Sequence, residues 1–161
     1  MNEKSPWVKF YGDFFYLILQ KIKVDMEERK MVVEVDIPVH SYDVDFMQIV
    51  SNTAYVKWLE DMRMAILDKY LPLTKLLEMD LSPILAETCI QYKYPVRIGC
   101  HPKGICKIWL KSRGRWVADF LVFEDERVYA TAQQHGYMFN LQSKRPASFP
   151  DEIVEKYLIE E

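Results

Sequence analysis

The sequence predicts an α+β fold in which a curved antiparallel sheet wraps around one long central helix. Three observations support this fold class. Apolar residues alternate with polar ones over residues 31–39, which predicts a strand, and residues 52–70 form an amphipathic run, which predicts a helix. Alternating segments separated by turn residues then fill most of the remaining chain. One strand, one long helix and a set of antiparallel strands can bury a common core by packing the sheet on the helix.

The first thirty residues are expected to form a separate helical extension. Ser5-Pro6 is a typical helix start, with a capping hydroxyl followed by proline in the first turn. Large apolar residues then recur on one helix face: Trp7, Phe10, Tyr11, Phe14, Phe15, Ile18 and Ile22. An apolar helix face of this size is expected to be buried against another surface. We favour packing on the main domain or on a second subunit over association with a membrane. The apolar run at 14–19 is too short to span a bilayer.

The main domain is expected to cover residues 31–150. Its first strand places Val33, Val35 and Ile37 on one face, and its helix runs from about Asn52 to Tyr70, where Leu71-Pro72 ends it. Four further strands are predicted at 85–94, 105–111, 116–123 and 128–139, and residues 112–115 form a hairpin turn. Residues 151–161 are predicted to be a short C-terminal helix or tail.

Composition excludes several classes of function. The 161 residues contain 21 basic and 24 acidic side chains, so no overall positive field attracts nucleic acid. The three cysteines, Cys89, Cys100 and Cys106, form no CxxC pair, and with no secretory signal they indicate reduced thiols and a cytoplasmic location. Cys100-His101 with Cys106 matches no zinc-binding spacing, so no metal site is predicted.

The most informative segment is a turn with two aspartates that precedes the long helix. Asp43 and Asp45 are followed by the helix-start cluster Ser51-Asn52-Thr53. A helix N-terminus offers unpaired backbone N–H groups and a positive dipole end, which can hold a developing oxyanion beside a carboxylate. From the residues alone, a role for Asp45 in bracing its own turn is favoured over catalysis.

A longer set of residues occurs in order at compatible spacing. It comprises the two aspartates, then Tyr55, Trp58, Glu60 and Arg63 on the helix, Tyr92 and Pro95, Ala130 and Ala132, and Arg145-Pro146 with Pro150. In this the chain resembles the hotdog-fold acyl-CoA thioesterases of the 4-hydroxybenzoyl-CoA thioesterase type, over about 31–150. The resemblance implies a hotdog fold, here with an added N-terminal helix.

The resemblance also assigns roles to site residues. Asp45 would be the nucleophile or general base, and the backbone N–H of Asn52 would be the oxyanion donor. Gln48, Ser51 and Tyr55 lie nearby in the sequence and are expected to contact the substrate. The implied reaction hydrolyses an acyl-CoA to a free acid and CoA, without a cofactor. Asp43 is expected to be structural.

Two departures from the family pattern bear on activity. Gln48 stands where the family has glycine, so it narrows the site, reshapes the turn or adds a polar contact. It favours the alternative of a catalytically weak hotdog protein that binds an acyl or aromatic ligand. Gly99 is followed by Cys100, not by the family's acidic residue. Met47 and Ile49 replace the Asn and His of plant-type acyl-ACP thioesterases, which argues against their mechanism and leaves an acyl-ACP substrate open.

Two further expectations concern partners. Lys111, Arg113 and Arg115 on the hairpin, with Arg145 in the tail, form either a solvated turn or a site for the CoA phosphates. A curved sheet over one helix leaves its outer strands open, and hotdog proteins pair such sheets edge to edge. A homodimer or homotetramer is therefore expected, with the site between subunits.

Overall fold

The computed structural model describes residues 30–159, so the helical extension predicted for residues 1–30 lies, apart from its last residue, outside the described range. The sheet strands are β1 (Met31–Asp36), β2 (Leu81–Tyr92), β3 (Lys103–Ser112), β4 (Arg115–Glu124), β5 (Arg127–Asn140) and β6 (Arg145–Ala147). The helices are α1 (Asn52–Tyr70), α2 (Leu73–Glu78) and α3 (Asp151–Tyr157).

The sheet has the strand order β1-β3-β4-β5-β2, and β6 pairs with the end of β5. Every paired strand in it is antiparallel to its neighbour. Because α1 follows β1 and β2 comes later at the opposite edge, the chain passes over one face of the sheet before completing it. The predicted α+β fold, a curled antiparallel sheet with a long helix, is confirmed.

Helix α1 is held in the fold by the side chains that it buries. Its buried side chains are Ala54, Tyr55, Trp58, Leu59, Met62 and Ile66. Gly104 in β3 allows the helix to approach the sheet closely, since a Cβ atom at this position would lie 2.5 Å from the Met62 sulfur. At the C-terminal end, the Tyr70 hydroxyl lies 3.0 Å from the Val32 carbonyl oxygen and ties the helix to β1.

Three features differ from the sequence prediction. The short helix α2 and strand β6 were not predicted, and β2 begins at Leu81, four residues before the predicted start. The C-terminal segment forms a short helix, which was one of the two predicted alternatives, and α3 buries Ile153 and Val154 in the main core. In the described part of the chain no helix is long and apolar enough to cross a membrane.

Candidate active site

Asp43 braces the turn that precedes α1, as predicted. It ends a 3-10 turn, Ser41–Asp43, and is 5% exposed. Its carboxylate accepts a hydrogen bond from the His40 N–H at 2.9 Å, and its carbonyl oxygen accepts one from the Ser51 N–H at 2.8 Å. Because these contacts fix the entry into the helix, Asp43 is a structural residue of the site.

Asp45 is half-buried and uses one carboxylate oxygen to hold the turn. Oδ1 accepts hydrogen bonds from the N–H groups of Met47 at 2.8 Å and Ile49 at 3.4 Å. The Asp45 N–H donates to the Ile49 carbonyl oxygen at 2.8 Å. No hydrogen bond to Oδ2 is found within residues 30–159. The bracing role and a reactive role therefore fall on different oxygens of one carboxylate.

The start of α1 leaves backbone donors available beside this turn. The Ser51 hydroxyl makes a 2.9 Å hydrogen bond with the Thr53 hydroxyl and caps no helix N–H. The first intrahelical bond is the 3.0 Å contact from the Ala54 N–H to the Ser51 carbonyl oxygen. The N–H groups of Asn52 and Thr53 precede it and have no acceptor within the helix. They are donors at the positive end of the helix dipole.

The turn leads directly into the start of α1. Val44 pairs with Val50, and Asp43 bonds to Ser51, so the two arms of the turn run side by side into the helix. Asp45 lies two residues beyond Asp43, a distance of about 7 Å in extended chain. Asp45 is therefore two strand positions away from the residue that pairs with the helix start.

Gln48 adopts the backbone conformation that glycine would favour. Its φ is +58°, and its N–H donates to the Asp45 carbonyl oxygen at 2.9 Å, which closes the turn. The backbone of Gln48 is therefore strained, because a residue with a Cβ atom is unfavourable in the left-handed region. Its side chain is exposed to solvent. Contact between this side chain and a substrate stays a prediction.

Tyr55 lies beneath the site. It is 3% exposed, and its ring contacts Trp58 and Tyr92 with centroid distances of 4.9 and 5.0 Å. Burial raises the pKa of its hydroxyl to about 12, so the group stays protonated at neutral pH. Direct contact of Tyr55 with the substrate stays a prediction.

Comparison with known proteins identifies the family. The family model described as the thioesterase-like superfamily matches residues 39–157, which include the Asp45 turn and all of α1. The chain belongs to the thioesterase-like superfamily. The resemblance found in the sequence is therefore confirmed at the level of the family. A comparison with curated proteins finds no match.

Solved structures agree with this superfamily fold. The 1,4-dihydroxy-2-naphthoyl-CoA thioesterase Slr0204 from Synechocystis is 19% identical, with a TM-score of 0.64 over 74% of this chain and 90% of its own. The probable thioesterase YbaW from Escherichia coli is 19% identical, with a TM-score of 0.67 over 78% and 95%. The 12:0-ACP thioesterase from Umbellularia californica is 15% identical, with a TM-score of 0.69 over 81% of this chain and 52% of its own.

The predicted basic cluster lies far from Tyr55 in the same chain. Arg115 pairs with Tyr137 on β5, whereas Tyr92, which contacts Tyr55, pairs with Ala130. Tyr137 and Ala130 are seven residues apart on β5, a distance of about 23 Å at about 3.3 Å per residue. The clustering of these basic residues around the Asp45 turn is therefore not seen within one chain.

The basic residues also differ in their surroundings. Lys111 and Arg115 line an open groove of about 680 Å³ at the hairpin end of the sheet. Arg113 instead forms an ion pair with Asp151 of α3. Arg145 lies in the neighbouring strand β6 and is exposed. Lys111 and Arg115 are therefore the better placed of the four to hold a phosphate.

Sequence reasoning missed a basic residue close to the turn. Arg97 forms an isolated antiparallel β-bridge with Ile49 through the backbone, so it lies beside the part of the turn that leads into α1. Its side chain is exposed. Its position two residues after Pro95, in a segment that the family resemblance covered, was the available signal.

Large apolar side chains are also exposed around this end of the molecule: Tyr42 at 76%, Phe46 at 93%, Met47 at 61% and Ile98 at 54%.

The cysteines do not form a site. Cys106 is fully buried, Cys100 is half-buried and Cys89 is exposed on β2. Burial raises the pKa of the Cys106 thiol, which keeps it protonated. Within residues 30–159 no group of His, Cys, Asp and Glu side chains is arranged to hold a metal ion.

Proposed function

We propose that this protein hydrolyses acyl-CoA thioesters to a free acid and CoA. The observation that supports the proposal most directly is a carboxylate oxygen without a hydrogen-bond partner on the turn that leads into the start of α1. Asp45 has one oxygen without a hydrogen-bond partner in the described residues, and the Asn52 N–H at the start of α1 has no acceptor within the helix. Membership of the thioesterase-like superfamily over residues 39–157 supports the reaction class.

The chemistry follows from this pair of groups. A substrate thioester carbonyl lies between them, with its oxygen directed to the Asn52 N–H. Asp45 Oδ2 either attacks the carbonyl carbon or takes a proton from an attacking water. The N–H then stabilises the tetrahedral oxygen, a contribution of roughly 3 kcal/mol in comparable sites. The carbon–sulfur bond breaks, the CoA sulfur leaves as a thiolate and takes up a proton, and the acid is released. In the nucleophilic route, water cleaves the acyl–Asp45 anhydride in a second step.

The basic groove is best explained by a site shared between subunits. Strand β2 is an edge strand, and a two-fold dimer would pair it antiparallel with its copy. The partner's β2 start would then lie beside the Tyr92 end of the first chain. Ile84 pairs with Tyr137, which also pairs with Arg115, so the partner's hairpin would approach the Asp45 turn. In this arrangement Lys111 and Arg115 of one subunit bind the CoA phosphates of a substrate held by the other.

A coupled assay tests the activity. Incubating the protein with a panel of aliphatic and aromatic acyl-CoAs and a thiol reagent should release free CoA with at least one of them. The competing function, binding without turnover, would show as saturable heat of acyl-CoA binding in calorimetry with no CoA release. That second result would overturn the hydrolase proposal and favour the ligand-binding alternative.

The role of the basic residues can be tested separately. Replacing Lys111 and Arg115 by alanine should raise KM for an acyl-CoA and leave KM unchanged for the matching acyl-pantetheine, which lacks the nucleotide. Arg145→Ala is the control, because Arg145 is a basic residue of the same surface that does not line the groove. Equal effects on both substrates would show that the groove does not hold the nucleotide. Faster turnover of the matching acyl-ACP than of the acyl-CoA would assign the carrier protein as the natural acyl donor.

A further inference from the structure

A cavity of about 240 Å³ lies between the C-terminal half of α1 and the sheet. Its walls are mostly apolar and include Met31, Ile66 and Phe149. Arg63 and Trp116 are among its few polar lining residues. Arg63 is eleven residues along α1 from Asn52, about 16 Å at about 1.5 Å per residue, so the cavity is remote from the Asp45 turn.

Two buried donors of this cavity have no hydrogen-bond partner. These are Nε of Arg63 and Nε1 of Trp116. Trp116 is 4% exposed, and 15% of the Arg63 side chain is exposed. Buried polar groups in folded proteins are nearly always hydrogen-bonded, so two unpaired donors at one cavity indicate a missing acceptor.

The chemistry of these donors restricts the ligand. An indole N–H and a guanidinium can only donate, so the ligand must carry an acceptor. The guanidinium carbon of Arg63 lies 5.9 Å from the centre of the Trp116 ring in a cation–π contact, so the two residues are neighbours in the cavity wall. The terminal nitrogen of Arg63 pairs with Glu60, which also lines the cavity and whose side chain is 60% exposed, so Nε is the nitrogen of Arg63 that is buried without a partner. A carboxylate supplies two acceptor oxygens and matches the positive charge.

We propose that this cavity binds a small apolar carboxylic acid in its ionised form. Its carboxylate accepts hydrogen bonds from Arg63 Nε and Trp116 Nε1, and its hydrocarbon part packs against Met31, Ile66 and Phe149. The volume falls just below the range of about 300–1,000 Å³ typical of small-molecule sites, which favours a short chain or a single ring system. The proposal does not depend on the chemistry of Asp45.

Nuclear magnetic resonance of the tryptophan side chains tests the proposal directly. The probe is octanoate, titrated into the ¹⁵N-labelled full chain, with octanol and octylamine as matched ligands that lack the carboxylate. Comparison with Trp116→Phe assigns the Trp116 indole signal. Octanoate should move this signal in a saturable way, whereas octanol and octylamine should leave it unmoved at the same concentrations.

Variants provide the second arm of the test. Trp116→Phe and Arg63→Met should each weaken octanoate binding by roughly tenfold, as expected for the loss of one hydrogen bond to a charged group. Trp109→Phe on β3 is the matched control, because Trp109 does not line the cavity, and it should leave the affinity unchanged. Octanoate binding that leaves the Trp116 signal unmoved, octanol binding of equal affinity, or no octanoate binding to the wild type would each overturn the proposal.

Discussion

At the scale of single residues, Gln48 is the most unusual feature of the candidate site. A residue with a Cβ atom is strained at a φ of +58°, and glycine is not. We expect Gln48→Gly to increase the free energy of unfolding by about 0.5–1 kcal/mol, after the entropic cost of glycine is subtracted. Chemical denaturation measures the change. Gln48→Ala is the control, since alanine shares the strain, and a glycine variant no more stable than it would refute the strain argument.

Asp45 is the residue on which the proposed reaction depends. Asp45→Asn retains an acceptor oxygen for the Met47 N–H, so the turn should keep its shape. The amide cannot attack the thioester or take a proton from water, and kcat should fall by at least about a hundredfold. Steady-state kinetics on the best acyl-CoA substrate gives the result.

Asp68→Asn, on the exposed side of α1, is the control for Asp45 and should keep full activity. Calorimetric binding of the same acyl-CoA should be nearly unchanged in the Asp45→Asn variant. If that variant retains most of its turnover, Asp45 has been given the wrong role.

The sequence predicted part of this residue-scale detail. The aspartates before a helix start predicted a structured turn, because cap and turn chemistry are local in sequence, whereas the roles of Asp45 and Asn52 rest on the family resemblance and stay predictions. The unpaired Oδ2 depends on how the turn folds back through Ile49, which no spacing rule describes. Arg97 was missed because its place beside the turn arises from a bridge between segments 48 residues apart.

At the scale of elements, the contact of β5 with β2 and with Trp116 requires a glycine. A Cβ at position 136 would lie 2.2 Å from the Ile84 carbonyl oxygen and 2.2 Å from a ring carbon of Trp116. Both neighbours are packed, so Gly136→Ala should destabilise the fold by about 1–3 kcal/mol. Thermal and chemical unfolding measure this loss.

A control on the same strand separates packing from a general effect of substitution. Gln133 is exposed on β5, and Gln133→Ala should change stability by no more than about 0.5 kcal/mol. Equal stability of the wild type and Gly136→Ala would show that the strands can separate without cost.

Element boundaries were predictable where one periodicity persists. The limits of α1 agree with the prediction, because nineteen residues of helical spacing give a clear signal. Strand β2 was placed late since its register shifts between Leu85 and Glu87, and Pro83 is unfavourable in a strand. Helix α2 has six residues, too few for a periodic pattern to emerge.

At the scale of the whole molecule, the edge strand β2 and its exposed apolar side chains call for a partner. Leu85 is 38% exposed and Tyr92 47%, and within residues 30–159 only β5 pairs with β2. We expect a homodimer at micromolar concentration, measured by light scattering, through pairing of β2 with its copy. A monomer at that concentration contradicts both this interface and the shared CoA site.

A charge placed on the edge tests the interface itself. Cys89 is exposed on β2, and Cys89→Lys should shift the protein toward a monomer because it would place a charged side chain on the paired edge. Leu141→Lys carries the same charge in the turn after β5, where the side chain is 42% exposed, and should remain dimeric. Dissociation of both variants would point to a general charge effect and against the β2 interface.

The N-terminal extension is the last feature that concerns the whole molecule. Seven large apolar residues share one predicted helix face between Trp7 and Ile22, and each contributes roughly 1.5–3 kcal/mol when buried. The segment leads into Met31, which is 3% exposed at the start of the edge strand β1. We predict that it packs permanently on the sheet or across a subunit boundary, and that it carries no catalytic residue.

Deleting residues 1–28 should then lower the thermal stability or change the oligomeric state, while the remaining domain keeps the Asp45-dependent activity. The competing role is a membrane anchor, which co-sedimentation with liposomes tests. An anchor would carry the intact protein to the vesicles and leave the truncated one in solution, with equal stability for both. A packed segment gives the opposite pattern, because burying its apolar face within the protein leaves nothing to insert between lipids.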